Sequence, residues 1–143
     1  MTNPSDITIV MVDDNVDEIH LTRRLVRHEG IINNFVSERR PDQLFETLCG
    51  LRGAGVDTQR IILLLDVNMP RLDGFEVLEQ VRASALYRNT PVIMLSATDD
   101  AADRQRALAL GANGYMVKPF RKAEFLTILN GLPQVRHQLI QAA

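Results

Sequence analysis

The chain has no tryptophan, a single cysteine and no long apolar run, and each shortage argues against a class of protein. Cys49 cannot form an internal disulfide, and its apolar neighbourhood predicts a buried structural thiol. No stretch approaches the roughly 20 apolar residues that span a bilayer, and the N-terminus has no signal-peptide pattern. We therefore expect a cytoplasmic protein that does not engage a membrane.

A basic excess is also missing. The 16 Lys and Arg against 18 Asp and Glu give a formal net charge of -2, and the basic residues are spread along the chain. Nucleic-acid binders usually concentrate positive charge, so we expect no nucleic-acid partner. A length of 143 residues with 45% hydrophobic content suits one domain. We place that domain at residues 1–131, followed by a tail at 132–143 whose apolar spacing predicts a short helix, with no output domain.

Short apolar runs rich in branched residues alternate along the chain with stretches of helical spacing. The clearest runs are Ile7–Val12, Ile61–Leu65 and Val92–Leu95, and weaker ones lie at Ile31–Val36 and Tyr115–Val117. Continuous runs of this kind are typical of strands covered on both faces. Five alternations predict an α/β fold, in which a parallel sheet carries helices on both sides.

Turn and cap residues indicate where several elements begin and end. Pro41 suits the first turn of a helix, and Asp73 followed by Glu76 matches a capping box. Gly111 is expected to stop a helix. Residues 50–60 hold three glycines without an apolar period, which predicts a long loop before the third strand.

Acidic residues and a lysine stand at the ends of the predicted strands. Asp13 and Asp14 follow the first strand, Asp66 ends the third, and Lys118 follows the fifth. The carboxyl ends of parallel strands form one crevice, so we expect these side chains to converge. Crowded carboxylates need a cation to neutralise them, and oxygen ligands without His or Cys suit Mg²⁺. The pattern predicts a metal site.

A carboxylate beside a metal can also act as a nucleophile toward phosphorus. Asp66 is the best candidate for forming an aspartyl phosphate. Lys118 would supply positive charge for the phosphoryl oxygens, and Ser96 at the end of the fourth strand would supply a hydroxyl donor. The dipeptide of Lys118 and Pro119 further predicts a cis peptide bond.

Four ordered segments, IVMVDDN, ILLLDVNMPRLDG, PVIMLSA and GANGYMVKPF, resemble the receiver domain of two-component response regulators. The resemblance covers residues 6 to about 131. It implies a flavodoxin-like doubly wound fold, with five parallel strands in the order 2-1-3-4-5 and five helices. The segment DDNVDEIHLTRRLVRHEG is most similar to stand-alone receivers that partner bacterial phytochrome-type or related sensor kinases.

The resemblance also implies a role for each site residue. These are Asp66 as phosphoacceptor, Asp13 and Asp14 as ligands of Mg²⁺ (or Mn²⁺), Asn68 as the donor of a backbone carbonyl to the metal, Ser96 and Lys118 as phosphoryl contacts, and Tyr115 as an aromatic switch that turns inward as Ser96 is drawn to the phosphate. The implied partners are a sensor histidine kinase or phosphotransfer protein, an unknown downstream protein and a second copy of the chain. The implied chemistry is limited to self-phosphotransfer and autodephosphorylation, without further enzymatic activity.

Other interpretations remain open at this point. Any single strand-end acid could be a helix cap, and Tyr115 could be an ordinary core aromatic. A magnesium-dependent aspartate-nucleophile phosphatase would place a second Asp two residues after Asp66, where this chain has Asn68. A flavin or nucleotide carrier would need a glycine- or hydroxyl-rich loop after the first strand instead of an acidic pair. A phosphate-independent binding module is the remaining alternative. The histidines His20, His28 and His137 are more simply solvated than phosphorylated.

Overall fold

The computed structural model describes residues 7–132, which form one five-stranded parallel sheet in the order β2-β1-β3-β4-β5. The strands are β1 (Thr8–Val12), β2 (Phe35–Glu38), β3 (Ile61–Asp66), β4 (Val92–Ser96) and β5 (Gly114–Val117). The helices are α1 (Val16–His28), α2 (Leu44–Gly53), α3 (Gly74–Ala83), α4 (Ala101–Ala109) and α5 (Lys122–Asn130), with 3-10 helices at Pro41–Gln43 and Thr58–Arg60. The predicted fold, strand order and helix number are confirmed. The predicted tail helix lies outside the described residues except for Leu132.

Two hydrophobic cores cover the two faces of the sheet. Successive side chains of a strand point to opposite faces, so Leu63 and Leu65 pack with α2 and α3 while Ile62 and Leu64 pack with α1 and α5. All four leucine and isoleucine side chains are fully buried. Burial on both faces is the reason that β3 is apolar at every position before Asp66.

Strand β2 begins later than the sequence predicts. Ile31 makes only an isolated bridge, and the regular ladder with β1 starts where Ile9 pairs with Phe35. The Arg27 guanidinium donates to the carbonyls of Ile31 and Asn33, both at 2.8 Å. Side-chain hydrogen bonds therefore hold this segment in place of a strand ladder.

The predicted long loop at residues 50–60 is wrong. Helix α2 continues to Gly53, because Leu51 still packs against the core. The chain then turns at Gly55, whose φ of 94° lies in the left-handed region that glycine adopts without strain, and enters the 3-10 helix Thr58–Arg60. The linker between regular elements is residues 54–57.

Three nonpolar residues on the helices are exposed to solvent. Cys49 lies on the solvent side of α2, so the predicted buried thiol is wrong. Leu21 is 46% exposed because the buried positions of α1 are residues 19, 22 and 26, and Leu108 on α4 is 53% exposed. An apolar residue adjacent to the buried stripe of a helix cannot be separated from it by spacing alone.

Capping residues mark the ends of several helices. Asn15 caps α1, and Asp73 caps α3 by accepting a hydrogen bond of 2.9 Å from the backbone amide of Glu76. Gly111 follows α4 with a φ of 99°, which confirms the predicted stop. Within residues 7–132, no helix combines the length and the apolar character needed to cross a membrane.

Candidate functional site

The predicted site residues converge at the carboxyl edge of the sheet. Asp13 directly follows β1, Asp66 is the last residue of β3, Ser96 is the last residue of β4, and Lys118 directly follows β5. Because the strands are parallel, residues separated by about a hundred positions reach the same crevice.

The Lys118 ammonium group lies among three carboxylates. Its Nζ is 3.1 Å from Oδ1 of Asp66 and 3.6 Å from Oδ2 of Asp13. It is also 3.6 Å from Oε2 of Glu18, in the first turn of α1. The sequence analysis missed Glu18. Its position three residues after the cap Asn15 was the available signal, since that places it at the end of α1 nearest the crevice.

The three aspartates form a compact group of oxygen donors. Carboxylate oxygens of Asp13, Asp14 and Asp66 all lie within 4.8 Å of one another. Asp13 is fully buried, Asp66 is 6% exposed, and Asp14 is more accessible to solvent. Oδ1 of Asp13 accepts a hydrogen bond of 2.9 Å from the Asn15 amide. Its buried Oδ2 faces the Lys118 ammonium at 3.6 Å and accepts no hydrogen bond from the part of the chain that the structure describes. A buried carboxylate oxygen without a donor fits a cation ligand.

Burial sets the electrostatics of this site. Desolvation, with a further contribution from the neighbouring Asp66 charge, raises the pKa of Asp13 from 3.8 to about 6. Desolvation also raises the pKa of Asp66, although Lys118 and the Asn68 backbone amide oppose the rise. Burial alone would lower the pKa of Lys118, but the carboxylates of Asp66 and Asp13 raise it overall. The lysine is therefore held in its charged form, while the aspartates resist ionising without further positive charge.

The Ser96 hydroxyl is buried beside this group. Its Oγ accepts a hydrogen bond of 3.1 Å from the backbone amide of Thr98, which leaves its own proton available for donation. Tyr115 is 5% exposed, and its hydroxyl donates to the Thr98 carbonyl at 3.2 Å. Thr98, in the loop that follows β4, is therefore hydrogen-bonded to Ser96 through its amide and to Tyr115 through its carbonyl.

Gly74 is a site residue whose role the sequence analysis missed. It is the first residue of α3, and its amide donates to the Val67 carbonyl at 3.1 Å. A Cβ at this position would collide with the backbone carbonyl of Asp66 and lie 2.9 Å from Cε of Met94. Only glycine allows α3 to begin this close to the end of β3.

Two further expectations concern the backbone around the crevice. The peptide bond between Lys118 and Pro119 is cis, as the dipeptide predicted. Asn68 is exposed in the loop after β3, and its amide is near enough to the Asp66 carboxylate to lower the pKa of that group. This loop therefore bends back toward the aspartates.

Fold and site together define a doubly wound α/β protein with an acidic, lysine-containing crevice at the carboxyl edge of its sheet. The chain belongs to the response regulator receiver domain family, whose model matches residues 9–130. Receiver domains are generally phosphoacceptor switches that bind Mg²⁺ at an acidic site and interact with histidine kinases or phosphotransfer proteins.

Sequence relatives agree with this assignment. The transcriptional regulatory protein TrcR of Mycobacterium tuberculosis is 33% identical over 128 residues, which is 90% of this chain and 46% of TrcR. The transcriptional regulatory protein HprR of Escherichia coli is 30% identical over 131 residues, 92% of this chain and 53% of HprR. The chain spans about half the length of these curated relatives.

Solved structures are similar over a larger share of their length. The bacteriophytochrome response regulator AtBRR is 28% identical with a TM-score of 0.74, covering 89% of this chain and 92% of that one. The chemotaxis protein CheY4 of Vibrio cholerae is 26% identical with a TM-score of 0.65, covering 89% of this chain and 98% of that one. These neighbours include the phytochrome-associated receivers that the sequence resembles.

Proposed function

We propose that this receiver is phosphorylated on Asp66 by a sensor histidine kinase or phosphotransfer protein and signals by phosphorylation-dependent binding of another protein. The observation that carries the proposal is the position of Lys118 Nζ, 3.1 Å from Oδ1 of Asp66 and 3.6 Å from Oδ2 of Asp13. That Asp13 oxygen is buried and accepts no hydrogen bond from residues 7–132. A merely structural ion pair would leave no buried acceptor unmatched. The signalling unit is residues 1–131, with 132–143 as an appended tail.

The oxygen donors at this edge fit Mg²⁺, and Mn²⁺ as a substitute. The carboxylates of Asp13, Asp14 and Asp66 would hold the ion together with the backbone carbonyl of Asn68. When bound, the ion supplies the positive charge that neutralises the carboxylates and the incoming phosphoryl oxygens.

Each protein group then has a defined task in phosphoryl transfer. A carboxylate oxygen of Asp66 forms a new bond to phosphorus as the bond from phosphorus to the donor histidine nitrogen breaks. Lys118 remains charged, because the neighbouring carboxylates raise its pKa, and it neutralises a phosphoryl oxygen. The Ser96 hydroxyl donates a hydrogen bond to a second phosphoryl oxygen.

Coupling to a partner follows from the shared contacts of Thr98. When Ser96 turns toward the phosphoryl group, its oxygen leaves the Thr98 amide, and Thr98 is also the residue that holds the Tyr115 hydroxyl. The loop after β4 and the surface formed by α4, β5 and α5 then favour another arrangement. A coupling of about 1–3 kcal/mol would change partner affinity roughly five- to a hundredfold. The surface also offers a site for a second copy of the chain.

Phosphate-affinity gel mobility tests the proposal. Wild type and Asp66→Asn are incubated with acetyl phosphate or phosphoramidate and Mg²⁺, with EDTA as a control. We expect a metal-dependent shifted band in the wild type that disappears in the variant. An unshifted wild type under every condition would instead support a phosphate-independent binding module, and sustained release of phosphate from added phosphoesters would support the phosphatase alternative.

A further inference from the structure

Arg104 on α4 joins three groups through one guanidinium. Its Nη2 is 2.9 Å from Oδ1 of Asp99, and its Nη1 donates to the Tyr115 carbonyl at 3.4 Å. Its Cζ also lies 4.9 Å from the centre of the Tyr115 ring. A guanidinium is planar and can stack on a ring while donating hydrogen bonds at its edge, which a lysine ammonium cannot do.

Tyr115 is therefore held from two sides. On its inner side the hydroxyl donates to the Thr98 carbonyl, and the Thr98 amide donates to the Ser96 hydroxyl oxygen. On its outer side the ring meets Arg104, whose partner Asp99 is the next residue of the same loop. These hydrogen bonds and the stacking contact connect the loop after β4 to Tyr115 on β5 and to Arg104 on α4.

We propose that Arg104 is a positioning residue that keeps Tyr115 buried against this loop before Asp66 is phosphorylated. A contact present only when Tyr115 is inward lowers the free energy of that conformer and raises its population. Phosphorylation would then move the loop after β4 while Tyr115 is already buried. A separate inward rotation of Tyr115 would not be needed. This consequence for signalling rests on the proposed function, whereas the effect of Arg104 on Tyr115 does not.

A second arginine on the same helix offers a matched control. Arg106 stacks on Phe75, with its Cζ 4.3 Å from the ring centre. Among residues 7–132 it forms no ion pair. Arg106→Ala therefore removes an arginine–aromatic contact of α4 without touching Tyr115 or the loop after β4.

The test is quenching of Tyr115 fluorescence by acrylamide, a neutral quencher. The chain has no tryptophan and two tyrosines, so Tyr87→Phe leaves Tyr115 as the sole emitter at its wavelength. In this background we expect Arg104→Ala to raise the lifetime-normalised quenching constant about threefold or more, and Arg104→Lys to recover only part of the protection. Asp99→Asn, which frees one end of Arg104, should give a smaller rise.

The outcomes separate the proposal from its alternatives. A raised constant in Arg104→Ala with an unchanged constant in Arg106→Ala, both folded by circular dichroism, supports it. No rise in Arg104→Ala overturns it, and so does an equal rise in both variants, because that would mean a general loosening of α4.

A second readout tests the consequence for signalling. After acetyl phosphate and Mg²⁺, the quenching constant should fall by a larger factor in Arg104→Ala than in wild type, since only the variant begins with an outward tyrosine. Equal falls would overturn the role of Arg104 in the response. If Asp66 takes no phosphate at all, the proposed function fails while the quenching result in untreated protein still decides the role of Arg104.

Discussion

The two edges of the sheet differ in how completely their charged groups are hydrogen-bonded. At the amino edge, the half-buried Arg82 guanidinium has no carboxylate partner among residues 7–132, yet it donates to three carbonyls and a side-chain oxygen. These acceptors are Gly111 at 2.9 Å, Arg88 at 3.0 Å, Thr90 at 2.7 Å and Oδ1 of Asn113 at 3.0 Å. The protein itself satisfies this cation and uses it to connect α3 with the starts of β4 and β5.

At the carboxyl edge the protein leaves its charges incompletely matched. Burial raises the pKa values of Asp13 and Asp66, and Oδ2 of Asp13 accepts no hydrogen bond from any described residue. Lys118 provides one positive charge for several carboxylates. Charged groups are fully hydrogen-bonded at the edge where they stabilise the fold, and they are incompletely matched at the edge where we propose that an ion binds.

Removing Arg82 should give the largest loss of stability. We expect Arg82→Ala to lower the free energy of unfolding by about 3 kcal/mol, because four acceptors lose a charged donor. Urea denaturation measures the change, and Arg88→Ala is the control, since only the backbone carbonyl of Arg88 is used. Phosphorylation of the folded variant should be unaffected, and a loss below 1 kcal/mol would break the comparison between the edges.

Gly74→Ala should have the second-largest effect on stability. We expect it to lower the free energy of unfolding by about 2 kcal/mol, because the added Cβ overpacks against the Asp66 backbone. The rate of phosphorylation by phosphoramidate should fall as well, because Asp66 must shift. The control is Gly50→Ala on α2, where a Cβ meets nothing within 4 Å and should add about 0.5–1 kcal/mol of stability. Equal effects of the two substitutions would refute the role of Gly74.

Asp13→Asn should stabilise the protein when Mg²⁺ is absent. The amide has a similar shape, can still accept from the Asn15 amide, and removes a buried charge whose cost the raised pKa reports. We expect a gain of about 1 kcal/mol at neutral pH, seen as a higher thermal midpoint in EDTA. A destabilised variant would indicate that the pair with Lys118 outweighs desolvation.

A pH dependence of the metal-free protein tests the same buried charge. The unfolded chain releases the Asp13 proton near 3.8, whereas the folded protein keeps it to about 6, so the folded state binds more protons in between. Stability from this group is therefore present at low pH and lost as pH rises from about 4 to 6. The difference in thermal midpoint between Asp13→Asn and wild type should widen over this range. A constant difference would argue against the raised pKa.

The strand pattern and the strand-end acids could be predicted because both depend on short-range order in the chain. Each predicted site residue stands at the end of an apolar run, and the parallel topology alone brings these residues together. They are Asp13, Asp66, Ser96 and Lys118. The start of β2 could not be predicted, because hydrogen bonds from Arg27 replace a strand ladder there.

Contacts between distant segments could not be predicted from the sequence either. Arg82 bonds residues up to 31 positions away, and the stacking of Arg104 on Tyr115 depends on how α4 lies across β5. The need for glycine at position 74 arises from the closeness of α3 to β3. These features follow from packing geometry, which periodicity does not encode.

The most direct test of the carboxyl edge as a ligand-dependent site is a Mg²⁺ titration of the thermal midpoint at neutral pH. A ligand that binds only the folded state raises the midpoint with its concentration. We predict a saturable rise in wild type and little or none in Asp13→Asn, so that the order of stability of the two proteins reverses as Mg²⁺ increases. An unchanged wild type, or the same rise in both proteins, would contradict the account.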